Sequence, residues 1–347
     1  MAYIFREINK GEYENLTEGK SLPLTQNAFY GEWQSMNSKK VWRYSVEESS
    51  KTVGVFQVVK NNMAYGKSYL YVPHGPVFFK EPGVEFMHDF DKFVLDLLMK
   101  ERAIFLRFDP TWGLRPQVRE LIGSVAPKYL YDGSYQPKFE WILDINKSEE
   151  ELLAWMKKVN RYTIRQAERL GVTVEIVRES FGKYFNKFYE LISKTAARDE
   201  FSHFTVEYYQ KIFDACEKDR NAFLTVGSYG GEVLLVNLYL KFGDTVYFLF
   251  SGSDDSERRV GYTYLAQWEA IKESKRLGYK IYNFGGYAPE NCNYIFYKKW
   301  SGFSDFKRRF GGRMIEYGDF HDIVGDKFWY LVYKTKRFVS SLLRNLK

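Results

Sequence analysis

The stretch AFLTVGSYGGEVLLVNLYLKFGDTVYFLFSGS, residues 222–253, decides the fold. Apolar and β-branched residues run in three blocks, AFLTVGSYGG, EVLLVNLYLKFGD and TVYFLFSGS, separated by Gly- and Asp-bearing turns, which predicts three successive strands. The following segment GYTYLAQWEAIKESKRLG, 261–278, has helical spacing and a stop signal at Gly278. YKIYNFGG, 279–286, then reads as a buried strand. The same order stands earlier in the chain. VWRYSVEES, TVGVFQVVKN and SYLYVPHG are strands, GVEFMHDFDKFVLDLLMKER is a helix, and AIFLRFDP is a buried strand stopped by Pro110. Helical segments precede the blocks, notably SEEELLAWMKKVNRYTIRQAERLG and GKYFNKFYELISKTAARDEF. The spacing therefore predicts an α/β (α+β) chain with mixed sheets, built as two copies of one β-β-β-α-β unit. The expected boundary is LDINKSEEE, giving a first domain of 1–144 with 313–347 and a second of 145–312.

A chain of 347 residues has room for two cores. The 28 Tyr, 29 Phe and 8 Trp supply many apolar bodies with polar tips, suited to partly wet clefts. A net charge of +7 suits an anionic partner such as RNA, a sugar diphosphate or an acidic membrane, without choosing among them. Cys216 and Cys292 stand far apart, so neither a disulfide framework nor a cysteine zinc site is predicted. His74, His88, His203 and His321 have no metal-ligand spacing, and no metal is expected. The N-terminal MAYIFREINKGEYENL has no apolar core and no run of 18 apolar residues occurs, so neither a signal peptide nor a membrane span is expected. The expected location is cytoplasmic.

The tail DKFWYLVYKTKRFVSSLLRNLK places Phe328, Leu331, Val332, Phe338, Val339, Leu342, Leu343 and Leu346 at three-and-four spacing between basic residues. A helix is expected, packed back against the first domain, with an acidic membrane surface as the other use of such a face.

No GxSxG elbow, GxxxxGK[ST], HExxH or GxGxxG after a strand is present. The β-β-β-α-β unit resembles the GNAT (N-acetyltransferase) superfamily, whose coenzyme A turn corresponds here to RRVGYT, where Arg258 and Gly261 fit and Thr263 does not. A longer resemblance is carried by MKKVNRYTIRQAERLGVTVE, LRFDP, HGPV, ARDEF with VEYY, and YNFGGY…NYIFYKKWSGF. Together these resemble the Fem (FemABX) family of nonribosomal peptidyltransferases. The resemblance implies two tandem GNAT-like domains, and because the helical segment around 147–170 runs directly into VTVEIV, it implies the FemX type without a coiled-coil arm. It further implies transfer of an amino acid from aminoacyl-tRNA, as co-substrate and with no other cofactor, to an amine on the stem peptide of a UDP-linked or lipid-linked muropeptide precursor. Work at the inner face of the membrane is part of that expectation.

Residue by residue, the resemblance implies Lys298 in YIFYKKW as the cation beside the transferred group and Asp109 in LRFDP as the base. A turn-capping role for an Asp before Pro is the alternative for Asp109, and Lys299 or the group Lys307, Arg308 and Arg309 could hold a diphosphate or tRNA instead. Tyr208 matches a precursor-holding tyrosine, whereas Gln34, Phe204 and Phe250 stand where the family has a lysine, an arginine and a tyrosine. Gly285 and Gly286 let the chain leave its strand closely, ahead of the lysines. Lys157, Lys158, Arg161, Arg165 and Arg169 along one helix could track phosphates or form a solvated face. A coenzyme-A-dependent N-acyltransferase and a noncatalytic module binding muropeptide or RNA are the other function classes the sequence leaves open.

Overall fold

The computed structural model describes residues 2–83, 85–111, 136–290, 300–318 and 320–345, with side chains up to Val339. The chain divides into two compact units. One comprises Met1–Lys138, Asn291–Lys299 and Glu316–Lys347, the other Phe139–Glu290 and Trp300–Ile315.

The sheet of the first unit contains β1 (Tyr3–Ile8), β2 (Val41–Glu48), β3 (Lys51–Asn62), β4 (Ser68–Val72), β6 (Phe105–Phe108) and β14 (His321–Val324) in that spatial order, with β5 (Val77–Phe78) paired to β3. All pairs are antiparallel except β4 with β6, which α3 (Glu85–Glu101) connects as a crossover. Alternation decides the buried face: Trp42, Tyr44 and Val46 on β2 and Phe56 and Val58 on β3 point to one side of the sheet. They meet Phe86, Phe90, Val94 and Leu97, which recur at helical spacing on α3. The helices α1 (Lys10–Thr17) and α2 (Ala28–Met36) start on Asn9 and Asn27, whose side chains accept the N–H groups of Glu12 and Phe29.

In the second unit the order is β13 (Arg313–Glu316), β7 (Phe139–Asp144), β12 (Ile281–Gly286), β11 (Thr245–Ser253), β10 (Glu232–Phe242), β9 (Ala222–Tyr229) and β8 (Thr173–Val177). The doubled β-β-β-α-β order is present, since α8 (Tyr262–Arg276) connects β11 to the parallel β12. The division falls between Lys138 and Phe139 rather than after residue 144. β7 hydrogen-bonds β12, with Asp144 opposite Ile281, and this draws 139–144 into the second unit. Residues 313–315 follow for the same reason, through β13 beside β7.

The helical segment around 147–170 is two helices, α4 (Glu149–Trp155) and α5 (Lys158–Arg169). Met156 is extended (φ −68°, ψ 148°), and Arg161 Nη1 crosses the break to donate to the carbonyls of Leu153, Ala154 and Met156 at 3.0 to 3.2 Å. The Leu153 carbonyl, which also accepts the Met156 N–H, and the Ala154 carbonyl belong to the last turn of α4 and Met156 follows it, so Arg161 acts as a cap. From α5 the chain passes directly to β8, and no coiled-coil arm stands among the described residues of this segment. Gly261 of RRVGYT caps α8 at φ 79°, and a Cβ there would lie 2.6 Å from Thr163 Cγ2 of α5. The glycine is therefore explained by a left-handed backbone and a close helix approach.

The terminal helix α10 (Lys327–Asn345) does pack on the first unit, but not by the face its sequence pattern suggests. Trp329, Tyr330 and Tyr333 turn inward onto Tyr69, Tyr71, Ile104 and Phe105, while Phe328, Leu331, Val332, Phe338 and Val339 are exposed. The inward face is fixed by a polar anchor. Arg107 and Asp322 form a fully buried two-pronged ion pair at 2.8 and 2.7 Å, and the Tyr330 hydroxyl donates to the same carboxylate at 2.8 Å. Asp322 holds Arg107 in its charged form against the burial that opposes it.

Candidate active site

Asp109 closes β6, and its carboxyl is buried. Oδ2 accepts the Tyr71 hydroxyl and Oδ1 accepts the His74 backbone N–H, each at 2.6 Å. The turn that presents His74 is the HGPV motif, and a polar network holds it. The Pro73 carbonyl accepts from Thr25 Oγ1 at 3.0 Å and Gln26 Nε2 at 2.7 Å, while Gln26 Oε1 accepts the Gln57 N–H. His74 takes φ 50° and stacks on Tyr317 with ring centroids 3.9 Å apart. Burial pushes the imidazole down to about 4, so it is neutral at physiological pH. Tyr30, also buried beside this cluster, accepts a hydrogen bond from Gln136 Nε2 at 3.2 Å.

Burial raises Asp109 from 3.8 to about 7, against the pull of the Tyr71 and His74 donors and of the Arg107 charge. A carboxyl poised there is half ionised near neutral pH, the condition in which a general base is most effective. The turn-capping role expected of an Asp before Pro is also present, in the His74 N–H bond. The two roles coexist in one side chain.

Gln34, on α2, is buried and offers no charge. It is the other site residue of the first unit whose position is described.

In the second unit Phe204, Tyr208 and Phe250 come together around Tyr209. Thr205 caps α7 (Val206–Asp219), the helix after α6 (Gly182–Arg198), by accepting the Tyr208 N–H, and this places Tyr208 in the first turn. The Phe204 and Tyr208 rings stack at 3.9 Å, and Phe250 meets Tyr209 edge-on at 5.1 Å. Phe250 owes its position to a bulge: Leu238 opposes Phe250 but Tyr239 opposes Phe248, leaving Leu249 as the extra residue of β11. The ladder between β11 and β12 ends at Tyr247 and Asn283, before Phe250, Gly285 and Gly286.

Gly285 has φ 74°, and its N–H donates to Asn283 Oδ1 at 2.7 Å, while Asn283 Nδ2 donates to Glu140 at 2.7 Å. The next carbonyl, Gly286, accepts Lys307 Nζ at 2.5 Å. Lys307, expected among a basic group open to a diphosphate or tRNA, is instead buried on α9 (Ser301–Arg308) and lies 4.8 Å over the Phe303 ring. Burial lowers it from 10.5 to about 7, a loss that the Glu140 charge offsets in part. Arg308 pairs with Glu290 and Asp305, and Arg309 with Asp305, so this group is committed to local structure. Lys307 is the residue that sequence reading misplaced, and the apolar neighbours at Phe303, Phe306 and Phe310 were the signal available. Lys298, Lys299 and Cys292 lie outside the described residues. Lys157, which precedes α5, and Lys158, Arg165 and Arg169 on it are exposed, whereas Arg161 is taken up by its capping bonds.

The model of the FemAB family matches residues 125–229 and 226–337. The UDP-N-acetylmuramoylpentapeptide-lysine N(6)-alanyltransferase of Weissella viridescens is 22% identical over 274 residues, 73% of this chain and 77% of that protein. The lipid II:glycine glycyltransferase of Staphylococcus aureus is 35% identical over 87 residues, which are 25% of this chain and 20% of that protein. Among solved structures, the crystal structure of FemX superposes with a TM-score of 0.76 at 17% identity, covering 95% of this chain and 99% of that one. A tandem GNAT protein from the clavulanic acid biosynthesis pathway superposes at 0.55 and 10% identity, over 92% and 98%. These superpositions agree with the tandem GNAT-like fold read from the doubled strand order. With its family model matched over more than half of its length, the chain belongs to the FemAB family.

Proposed function

We propose that this protein is an aminoacyltransferase that moves an amino acid from aminoacyl-tRNA to an amine on the stem peptide of a lipid-linked peptidoglycan precursor. The observation that carries the reading is the buried Asp109 carboxyl, raised to about 7 within a chain of the FemAB family. The named relatives, an alanyltransferase and a glycyltransferase acting on muropeptides, support the substrate class.

A neutral amine nitrogen attacks the ester carbonyl, forming the C–N bond and a tetrahedral oxyanion. Collapse breaks the C–O bond to the terminal ribose, whose oxygen takes a proton as it leaves. A lysine-type amine has a reference pKa of about 10.4 and is mostly protonated at neutral pH, so a proton acceptor is required. Asp109 fills that role. The resemblance to FemX-type enzymes assigns the oxyanion to Lys298. The ester is already activated, so no cofactor beyond aminoacyl-tRNA is needed, and positioning two substrates supplies much of the acceleration.

The lipid-linked acceptor is favoured by the aromatic cluster of the second unit. Phe204 stacks on Tyr208 where FemX-like enzymes resemble one another in having an arginine, and Gln34 is uncharged where they have a lysine. Two cations suited to a diphosphate are thus replaced, and because both precursors carry one, the cluster favours an acceptor whose diphosphate sits elsewhere, as at a lipid headgroup layer. The reaction then takes place on the cytoplasmic side, at the inner face of the membrane.

The test is to incubate the purified protein with charged tRNAs and, in separate arms, lipid-linked and UDP-linked muropeptide, and to read the added residue by mass. The lipid-linked arm gains one or more amino acids. No product with any charged tRNA overturns the transferase reading, and a product confined to the UDP-linked arm overturns the choice of acceptor.

A further inference from the structure

The helix α10 carries two apolar faces, and only one is used by the fold. Trp329, Tyr330 and Tyr333 are packed on the first unit. Phe328, Leu331, Val332, Phe338 and Val339 stay 68, 62, 39, 54 and 46% exposed. At ~100° per residue these five fall within roughly 120° of arc, a continuous apolar stripe rather than scattered side chains. Lys327 and Lys334 border the stripe on one side and Lys336 on the other, by the same angular count. From Lys327 to Lys347 the sequence contains no Asp or Glu, whereas Lys327, Lys334, Lys336, Arg337, Arg344 and Lys347 are basic. Tyr65, 83% exposed, adds an apolar body beside the helix, its ring 6.2 Å from that of Trp329.

We propose that this outer face of α10 lies on an anionic lipid bilayer, with the apolar stripe in the acyl boundary and the flanking lysines at the headgroups. Three observations select this occupant. The charge around the stripe is of one sign, complementary to an anionic leaflet and self-repelling toward a second copy of the same face. Lys327 and Lys336 sit at the edges of the stripe, where their stems extend the apolar contact, while the Lys334 ammonium lies 5.5 Å from the Tyr330 ring centroid and adds its charge from the packed side. No described helix is long and apolar enough to cross a membrane, so the face rests on the bilayer instead of entering it. The inference deepens the proposed reaction with a lipid-linked acceptor and rests on that reading for its biological purpose. Docking confines enzyme and acceptor to one surface, raising the effective concentration of their encounter without any new contact to the reacting groups.

The experiment measures co-sedimentation of the full chain with phosphatidylcholine vesicles, with and without phosphatidylglycerol. The wild type binds the anionic vesicles and releases from them as salt rises. Replacing Lys327, Lys334 and Lys336 by Gln weakens binding by about fivefold per charge. The triple variant Phe328→Ser, Leu331→Ser, Phe338→Ser loses binding while its melting temperature stays at the wild-type value, because these side chains are outside the core. Wild-type protein that ignores anionic vesicles, or a triple variant that still binds them, overturns the proposal. So does a wild-type dimer in sedimentation that the triple variant converts to monomer without any vesicle binding, which assigns the face to a second copy. No muropeptide or tRNA enters these assays, so a failure of the transfer reaction leaves their outcome unchanged.

Discussion

Lys307 Nζ lies 2.5 Å from the Gly286 carbonyl oxygen, so an amine closed off from water fastens α9 to the end of β12. Its pKa is about 7 in the fold against 10.5 for an exposed lysine. A lowered pKa means that the contribution to stability is complete above the unfolded value and is lost as pH falls through the folded one. Comparing wild type with Lys307→Met by denaturant melts, the advantage of the lysine is expected to be greatest near pH 10 and to shrink steadily toward pH 6. A constant difference across that window would contradict the buried, neutral amine.

Asp109 has the opposite sign in stability. Its folded pKa of about 7 stands above 3.8, so its contribution is complete below the unfolded value and is lost as pH rises through 7. The stability of wild type relative to Asp109→Asn is expected to fall between pH 4 and 7. Activity runs the other way, since only the carboxylate accepts a proton. The rate should climb with an apparent pKa near 7, and Asp109→Asn should lower kcat by about 10² to 10⁴ and abolish that limb. An unchanged pH–rate profile in the variant assigns Asp109 to turn capping alone.

Phe204 is 49% exposed and lies on Tyr208, which makes it a tolerant place for a charge. Phe204→Arg is expected to lower KM for a UDP-linked muropeptide by about tenfold through a charge-assisted contact to phosphate. The lipid-linked reaction should change less. Equal changes for both acceptors would remove this position from acceptor choice.

The exposed cations of α5 can be separated from its structural one. Replacing Lys158, Arg165 and Arg169 together by Gln is expected to raise KM for aminoacyl-tRNA and to flatten its salt dependence, as fewer phosphates are neutralised. Arg161→Ala instead removes the donor shared by the Leu153, Ala154 and Met156 carbonyls and should lower stability by about 1 to 3 kcal/mol. A melt that fails to separate the two variants would show that the capping bonds contribute nothing.

Much of this fold is written in local pattern. The apolar, β-branched blocks of β2, β3, β10 and β11, the helical spacing of α3 and α8, and Gly278 and Pro110 as stops are enough to show the repeated unit. What sequence pattern leaves out is pairing between distant segments. β7 belongs with β12, about 140 residues on, and nothing local distinguishes it from a strand of the first unit. The four-residue β14 is too short to read by periodicity, and its place depends on the Arg107–Asp322 ion pair. On α10 the aliphatic stripe dominates the pattern, but Trp329, Tyr330 and Tyr333 make the packed face, where the Tyr330 hydroxyl finds Asp322. The site divides in the same way. Asp109 is visible at a strand end before Pro110, whereas the Tyr71 and His74 donors that set its chemistry come from another strand and turn.

The pairing of β14 with β6 also imposes a schedule on synthesis. Residues 321–324 leave the ribosome after the whole of Phe139–Ile315, so the later unit is complete in the nascent chain before the earlier one. Until then Arg107 has no counter-ion and β6 no edge partner, a state in which a buried charge is costly. A nascent chain stalled with Ile315 just outside the exit tunnel is expected to shield its middle from protease and to be cut near residues 105–108. Equal shielding of both regions would mean that the amino-terminal portion matures without its last strand.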